Sequence, residues 1–140
     1  MSARLLTPEE KTNVQVTTNF NIKELEFYDT VPPELVANAT KLLQNLQIIR
    51  DFIGKPVKII SGYRSEARNK AVGGKDKSLH LQAAAADIQV SGMIAKDIHS
   101  KIEELIKQKK LYNGGLGLYV KSNFVHYDVR DNGPARWNGD

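Results

Sequence analysis

Cysteine is absent from this chain of 140 residues, which excludes disulfide staples and any closed thiolate metal site of the zinc-finger kind. Tryptophan occurs once, methionine twice and histidine three times. No stretch approaches the roughly 18 consecutive apolar residues that a membrane-spanning helix needs. The opening string Met1–Glu10 carries neither an apolar run nor a small-residue cleavage site, so no secretory leader is expected from it. Internal repeats and low-complexity segments are also missing. The lack of cysteine fits reducing and oxidising compartments equally well.

What is present describes one globular domain. Hydrophobic residues make up 41% and charged residues 26%, as in soluble folds with a proper core. The balance of 20 basic to 16 acidic side chains gives a net charge of +4. That favours polyanionic surroundings, either nucleic acid or an anionic bacterial wall. A nucleic-acid surface calls for basic residues clustered beside exposed aromatics. Here the lysines are dispersed, apart from Lys107–Lys110 at an expected helix C-terminus, where cations oppose the macrodipole. No nucleic-acid partner is expected.

Residues 1–19 are polar with weak periodicity and are expected to form an extended or poorly ordered lead-in to a single domain over 20–140. Leu35, Ala39, Leu42, Leu46, Ile49 and Ile53 recur at steps of four and three, which predicts a long helix opened by Pro32-Pro33 and stopped at Gly54. A strand is expected at 57–60, then a short helix capped by Ser65, and a second strand at 85–90. A second long helix is expected from about Met93 to Lys110. Strands at 116–120 and 124–130 follow, joined by a turn at 121–123, and the tail is expected to fold back over the sheet. The resulting fold class is α+β: a small, largely antiparallel sheet packed against two long helices.

Alternation along the strands sorts the candidate chemistry. Over 124–130, Val125, Tyr127 and Val129 suit a core, leaving His126, Asp128 and Arg130 on the other face. Over 85–90 the same rule turns Asp87 away from Ala86, Ile88 and Val90. His80 precedes that strand closely enough to join them. Two imidazoles and one carboxylate, His80, Asp87 and His126, can hold a tetrahedral Zn2+ with one position open to water, the ligand pattern of a catalytic rather than a structural site. His99, among helical apolar residues, reads as a boundary histidine.

Five strings then appear in order: Ser61-Gly-Tyr-Arg-Ser65, Asn69-Lys-Ala-Val-Gly-Gly74, Ser78-Leu-His80 leading to Ala85-Ala-Asp87-Ile88, Gly115-Leu-Gly-Leu-Tyr119, and Phe124-Val-His126-Tyr-Asp128-Val-Arg130. Together, over about residues 20–137, they resemble the zinc D-Ala-D-Ala carboxypeptidase family, which includes L-alanyl-D-glutamate endopeptidases. The resemblance implies a zinc peptidase that cleaves peptidoglycan stem peptides, as a D,D-carboxypeptidase or an L,D-type endopeptidase. It would be a monomer acting at the bacterial wall or periplasm.

By position, the resemblance implies that His80, Asp87 and His126 are the ligands, that Arg64 holds the scissile carbonyl or a substrate carboxylate, and that Ser78, Tyr63 and Arg130 bind substrate. Two positions depart from the family. Where many members carry a carboxylate three residues before the last histidine, this chain has Asn123, so Asp128 is the expected general base. Where a glycine is usual, three residues after the first histidine, this chain has Ala83; a positive φ there would strain alanine by ~1 kcal/mol or more. The alternative to a peptidase is a non-catalytic wall-binding module that retains the fold.

Overall fold

The computed structural model describes residues 16–75 and 77–140. The expected lead-in therefore lies largely outside the described residues. The part within them runs from Val16, whose amide bonds to Phe20 O at 3.1 Å, to Asn19, whose amide bonds to Gln47 Oε1 at 2.8 Å.

The long helix α1 spans Val36–Ile53, entered through a 3-10 turn at Pro33–Leu35 and closed by Gly54 at φ 75°. Glycine has no Cβ to oppose that left-handed turn. Strand β1, Val57–Ser61, leads to the short helix α2, Glu66–Ala71, whose N-cap Ser65 accepts a hydrogen bond from the Arg68 amide. A 3-10 turn at Leu79–Gln82 precedes β2, Ala85–Val90. Helix α3 covers Ala95–Lys107, and β3, Gly115–Tyr119, pairs with β4, Phe124–Asp128.

The tail differs from expectation. Ala135–Asn138 forms a fifth strand, β5, parallel to β3, in a sheet of order β1-β2-β4-β3-β5. The α+β class holds, but the sheet is mixed. The tail's strand is only four residues long, so its alternation of Ala135 and Trp137 with Arg136 and Asn138 is too brief to announce it. Its pairing is secured by Arg136, which reaches Gly114 O at 3.0 Å, Asn113 Oδ1 at 2.6 Å and Glu103 of α3 at 3.1 Å. The second helix is also shorter than expected, at 13 residues against 18 for α1. Asn123, at φ 55°, accepts the Ala95 amide on its side-chain oxygen at 2.8 Å and so serves the start of α3.

The core lies between helices and sheet. Leu42, Leu43, Leu46 and Ile49 of α1 and Ile98, Ile102 and Leu105 of α3 meet Ile88, Leu116, Val125 and Tyr127, all buried. The alternation on β2 and β4 sends these apolar side chains to the helices and leaves the opposite face for Asp87 and His126.

Candidate functional site

Pairing of β2 with β4 places Asp87 directly opposite His126. Cross-strand partners sit close enough for their side chains to touch, and His126 Nδ1 lies 3.2 Å from Asp87 Oδ1. His80, in the 3-10 turn before β2, brings Nε2 to 3.4 Å from the same oxygen. Zinc with ligands at ~2.0–2.1 Å in a tetrahedron requires donor atoms about 3.3 Å apart. The three groups are the ones among the described residues whose donor atoms converge in this way, all within 4.8 Å of one another. Spacing and donor chemistry both fit zinc.

The remaining imidazole nitrogens are committed elsewhere. His80 Nδ1 lies 2.7 Å from Gly62 O, where it donates. That leaves Nε2 unprotonated and facing the triangle. His126 Nε2 lies 2.7 Å from Asp128 Oδ2, which leaves Nδ1 free for metal. Partners of this kind fix tautomer and ring orientation at metal sites. Gly62 is carried to His80 by the irregular end of β1, where the register against β2 shifts between Ile59 and Ser61.

Asp128, expected to face the cleft as a base, has a different geometry. It is 0% exposed and does not line the cleft. Its Oδ1 accepts from the Gly115 amide at 2.8 Å, the Arg130 amide at 3.1 Å and Arg130 Nε at 2.9 Å. Its Oδ2 accepts from Arg130 Nη2 at 2.7 Å beside His126. Alternation assigned Asp128 the correct face but could not show that β3 covers it. Gly115 makes this burial possible, since a Cβ there would overlap the Asp128 carboxylate.

The electrostatics follow from the same contacts. Burial alone would raise the Asp87 carboxyl, but hydrogen bonds and charge from His126 and His80 hold it well below the usual carboxylate range. Burial likewise opposes the charged form of Asp128, and Arg130 and His126 outweigh it. Burial lowers the His126 imidazole, yet Asp128 and Asp87 together leave it raised.

The cleft above the triangle has a volume of about 720 Å³. Arg64, Ser78, Arg130, Tyr119 and Trp137 line it with the ligands. Arg64 Nη2 stands 3.9 Å from Asp87 Oδ2, while Nη1 donates to Asn69 Oδ1 at 3.1 Å. Ser78 caps the 3-10 turn, its Oγ accepting the His80 amide at 3.2 Å. Tyr63 falls on the other side of Arg64, in a separate pocket of about 270 Å³ with Phe27, Tyr28 and Arg68. It does not line the metal cleft. His99 is half-buried on α3, and burial lowers its pKa.

Two contributors, Asn69 and Gly117, were not legible beforehand. Asn69, 3% exposed, supports Arg64, although only its place in a motif string marked it. Gly117, opposite His126, clears space for Trp137; an added Cβ would stand 2.5 Å from the indole. Trp137, on the unforeseen β5, packs its ring 4.9 Å from that of His126 and donates Nε1–H to Tyr119 Oη at 3.0 Å. Ala83 adopts φ 54° at the end of the 3-10 turn, the left-handed conformation for which glycine is usual. No helix among the described residues is long and apolar enough to cross a membrane.

Comparison with known proteins gives the family. The chain is 35% identical over 102 residues to the peptidoglycan L,D-endopeptidase MepK of Escherichia coli K12, covering 68% of this chain and 51% of that protein. It is 31% identical over 108 residues to the probable peptidoglycan L,D-endopeptidase MepK of Haemophilus influenzae, covering 73% of this chain and 53% of that protein. The chain thus spans about half the length of the curated relatives it matches. Residues 14–128 match the family model described as Peptidase M15, a stretch that carries β1, β2, β4 and all three converging donors. The chain belongs to the Peptidase M15 family, the zinc D-Ala-D-Ala carboxypeptidase-like peptidases that its motif strings resemble.

Proposed function

We propose that this protein is a zinc-dependent peptidase acting on peptidoglycan stem peptides as an L,D-type endopeptidase. The observation that carries the reading is the triangle itself: His80 Nε2 and His126 Nδ1 at 3.4 and 3.2 Å from one Asp87 oxygen, at the floor of a cleft. The L,D-endopeptidase activity for which the MepK relatives are named favours the endopeptidase over the D,D-carboxypeptidase.

His80, Asp87 and His126 would hold the metal. When bound, zinc supplies Lewis acidity and a water of lowered pKa. The chain's own groups do the rest. Arg64, with its guanidinium at the edge of the triangle and one nitrogen on Asn69, is placed to stabilise the charge that develops on the scissile carbonyl oxygen. Ser78 sets the turn that presents His80. Arg130 lines the cleft while neutralising Asp128. Tyr119 and Trp137 form an aromatic wall that shields one side of His126 from water.

We assign Asp128 to positioning rather than to proton transfer. A carboxylate with no exposure, and with both oxygens engaged, holds the His126 ring and tautomer. Among the described lining residues the one carboxylate is then Asp87. That fact favours a second reading, a wall-binding module that keeps the metal without turnover.

Mass spectrometry of defined muropeptides incubated with the zinc-loaded chain, with and without chelator, separates the two. A chelator-sensitive product cut at an L,D bond is expected. No product from tripeptide, tetrapeptide, pentapeptide or cross-linked substrates establishes the binding module instead.

A further inference from the structure

Two lysines at the cleft rim take no part in holding the metal ligands. Lys75 and Lys77 line the cleft beside Arg64 and Arg130, and the sole carboxylate among the described lining residues is Asp87. Arg130 is occupied by Asp128, and Arg64 by Asn69 and the metal triangle. Neither lysine has an ion-pair partner among the described residues.

Exposed lysines are ordinary on any surface, where water solvates them. The backbone that carries these two is unusual in being fastened to the support of Arg64. Asn69 holds Arg64 Nη1 with its oxygen and donates its Nδ2 to Lys75 O at 2.8 Å. The Gly74 amide donates to Asn69 O at 2.8 Å, and the Ser78 amide to Lys75 O at 3.0 Å. Gly74 permits this approach, since a Cβ there would overlap the Asn69 amide and stand 2.9 Å from Arg64 Nη1. One buried asparagine thus links the rim segment to the arginine nearest the metal ligands.

We propose that Lys75 and Lys77 read a substrate carboxylate lying away from the scissile bond. The cleft then selects acidic stem peptides over the same peptides with that carboxylate capped as an amide. The inference rests on the peptidase reading and names the substrate class of the same cleft. An ammonium is a compact charge on a flexible stem, suited to a carboxylate held without the fixed geometry of a guanidinium fork. Cations lining a cleft focus the field on an incoming anion. Stem peptides offer such a group at the γ-linked glutamyl residue, whose α-carboxyl is either free or an amide.

The test uses two synthetic stem peptides that differ only at that carboxyl. With the zinc-loaded full chain the measurement is kcat/KM for each peptide. With the chelator-treated full chain it is Kd, followed through Trp137, the single tryptophan of the sequence and part of the cleft wall. A preference of about tenfold for the free acid is expected in both at low salt, shrinking as ionic strength rises. The K75Q/K77Q double variant should reduce the preference to about twofold, and K75R/K77R should keep it, which separates loss of charge from loss of folding.

A Kd ratio within about twofold in the native chain overturns the proposal. So does a ratio that survives K75Q/K77Q, or the absence of saturable binding by either peptide. Equal cleavage and equal binding of both peptides refute the rim and leave the peptidase standing. A retained Kd ratio with no cleavage of either peptide refutes the peptidase and leaves the rim standing.

Discussion

Replacing Asp128 with asparagine separates a positioning carboxylate from a general base. Asparagine keeps the shape and one acceptor, so the Gly115 and Arg130 amides retain a partner. It removes the charge that faces Arg130 and that selects the His126 tautomer with a proton on Nε2. Loss of such a partner weakens metal binding by about 10–100-fold, or ~1.4–2.7 kcal/mol. Stranding a charge opposite a buried partner costs about 3–5 kcal/mol; the Arg130 side chain is 19% exposed, which lowers the expected loss to roughly 2–3 kcal/mol. Zinc affinity is measured by competition with a chromophoric chelator, with Trp137 emission as a second signal from beside His126. Chemical denaturation of the metal-free chain measures the stability loss. A zinc affinity within about twofold of the unsubstituted chain, together with a fall in turnover of about 10³-fold or more, would refute the reasoning and restore Asp128 as the base.

Further expectations concern the turn, the aromatic wall and the protons. Ala83→Gly relieves about 1–2 kcal/mol of left-handed strain but deletes a fully buried methyl, worth ~0.8 kcal/mol, and adds unfolded-state entropy of about 0.4–1 kcal/mol. The net change in unfolding free energy should fall within about 0.8 kcal/mol of zero, whereas Ala83→Val, β-branched at the same φ, should lose about 3 kcal/mol or more by the same denaturation assay. Gly117→Ala places a methyl against the Trp137 indole and should shift Trp137 emission and lower turnover, while leaving zinc affinity within about threefold. Zinc affinity should rise with pH. Asp87 and Asp128 are already ionised near neutrality, so the proton that binding displaces is the one on His126, held above the ordinary histidine value. The rise is about tenfold per unit up to that raised pKa and flattens above it, read from chelator competition across pH 6–9.

Much of this site was legible in the chain because its signals are local. Alternation over 124–130 and 85–90 separates core residues from site residues whatever the strands pair with, since successive side chains point to opposite faces. The helix over 36–53 follows from apolar spacing and a terminal glycine, and the strain at Ala83 follows from an alanine where glycine is usual. The donor set of two histidines and one aspartate was fixed by residue type alone, and residue type selects the metal class. Asn123 was excluded as a base by its chemistry, although its service to the start of α3 depends on a contact 28 residues distant in sequence.

The tertiary structure decided what no window of sequence contains. Register across β2 and β4 set Asp87 against His126, and the irregular end of β1 delivered the Gly62 carbonyl to His80. Two glycines on β3 determined that Asp128 is covered and that Trp137 has room, which changed the reading of Asp128 from a base to a positioning residue. The fifth strand was not foreseen because its alternation covers only four residues, and its pairing is held by Arg136 contacts to β3's approach and to α3. Residue type and spacing report what a side chain can do and which face it occupies. Exposure and free lone pairs depend on neighbours brought from elsewhere in the chain, and only packing supplies those.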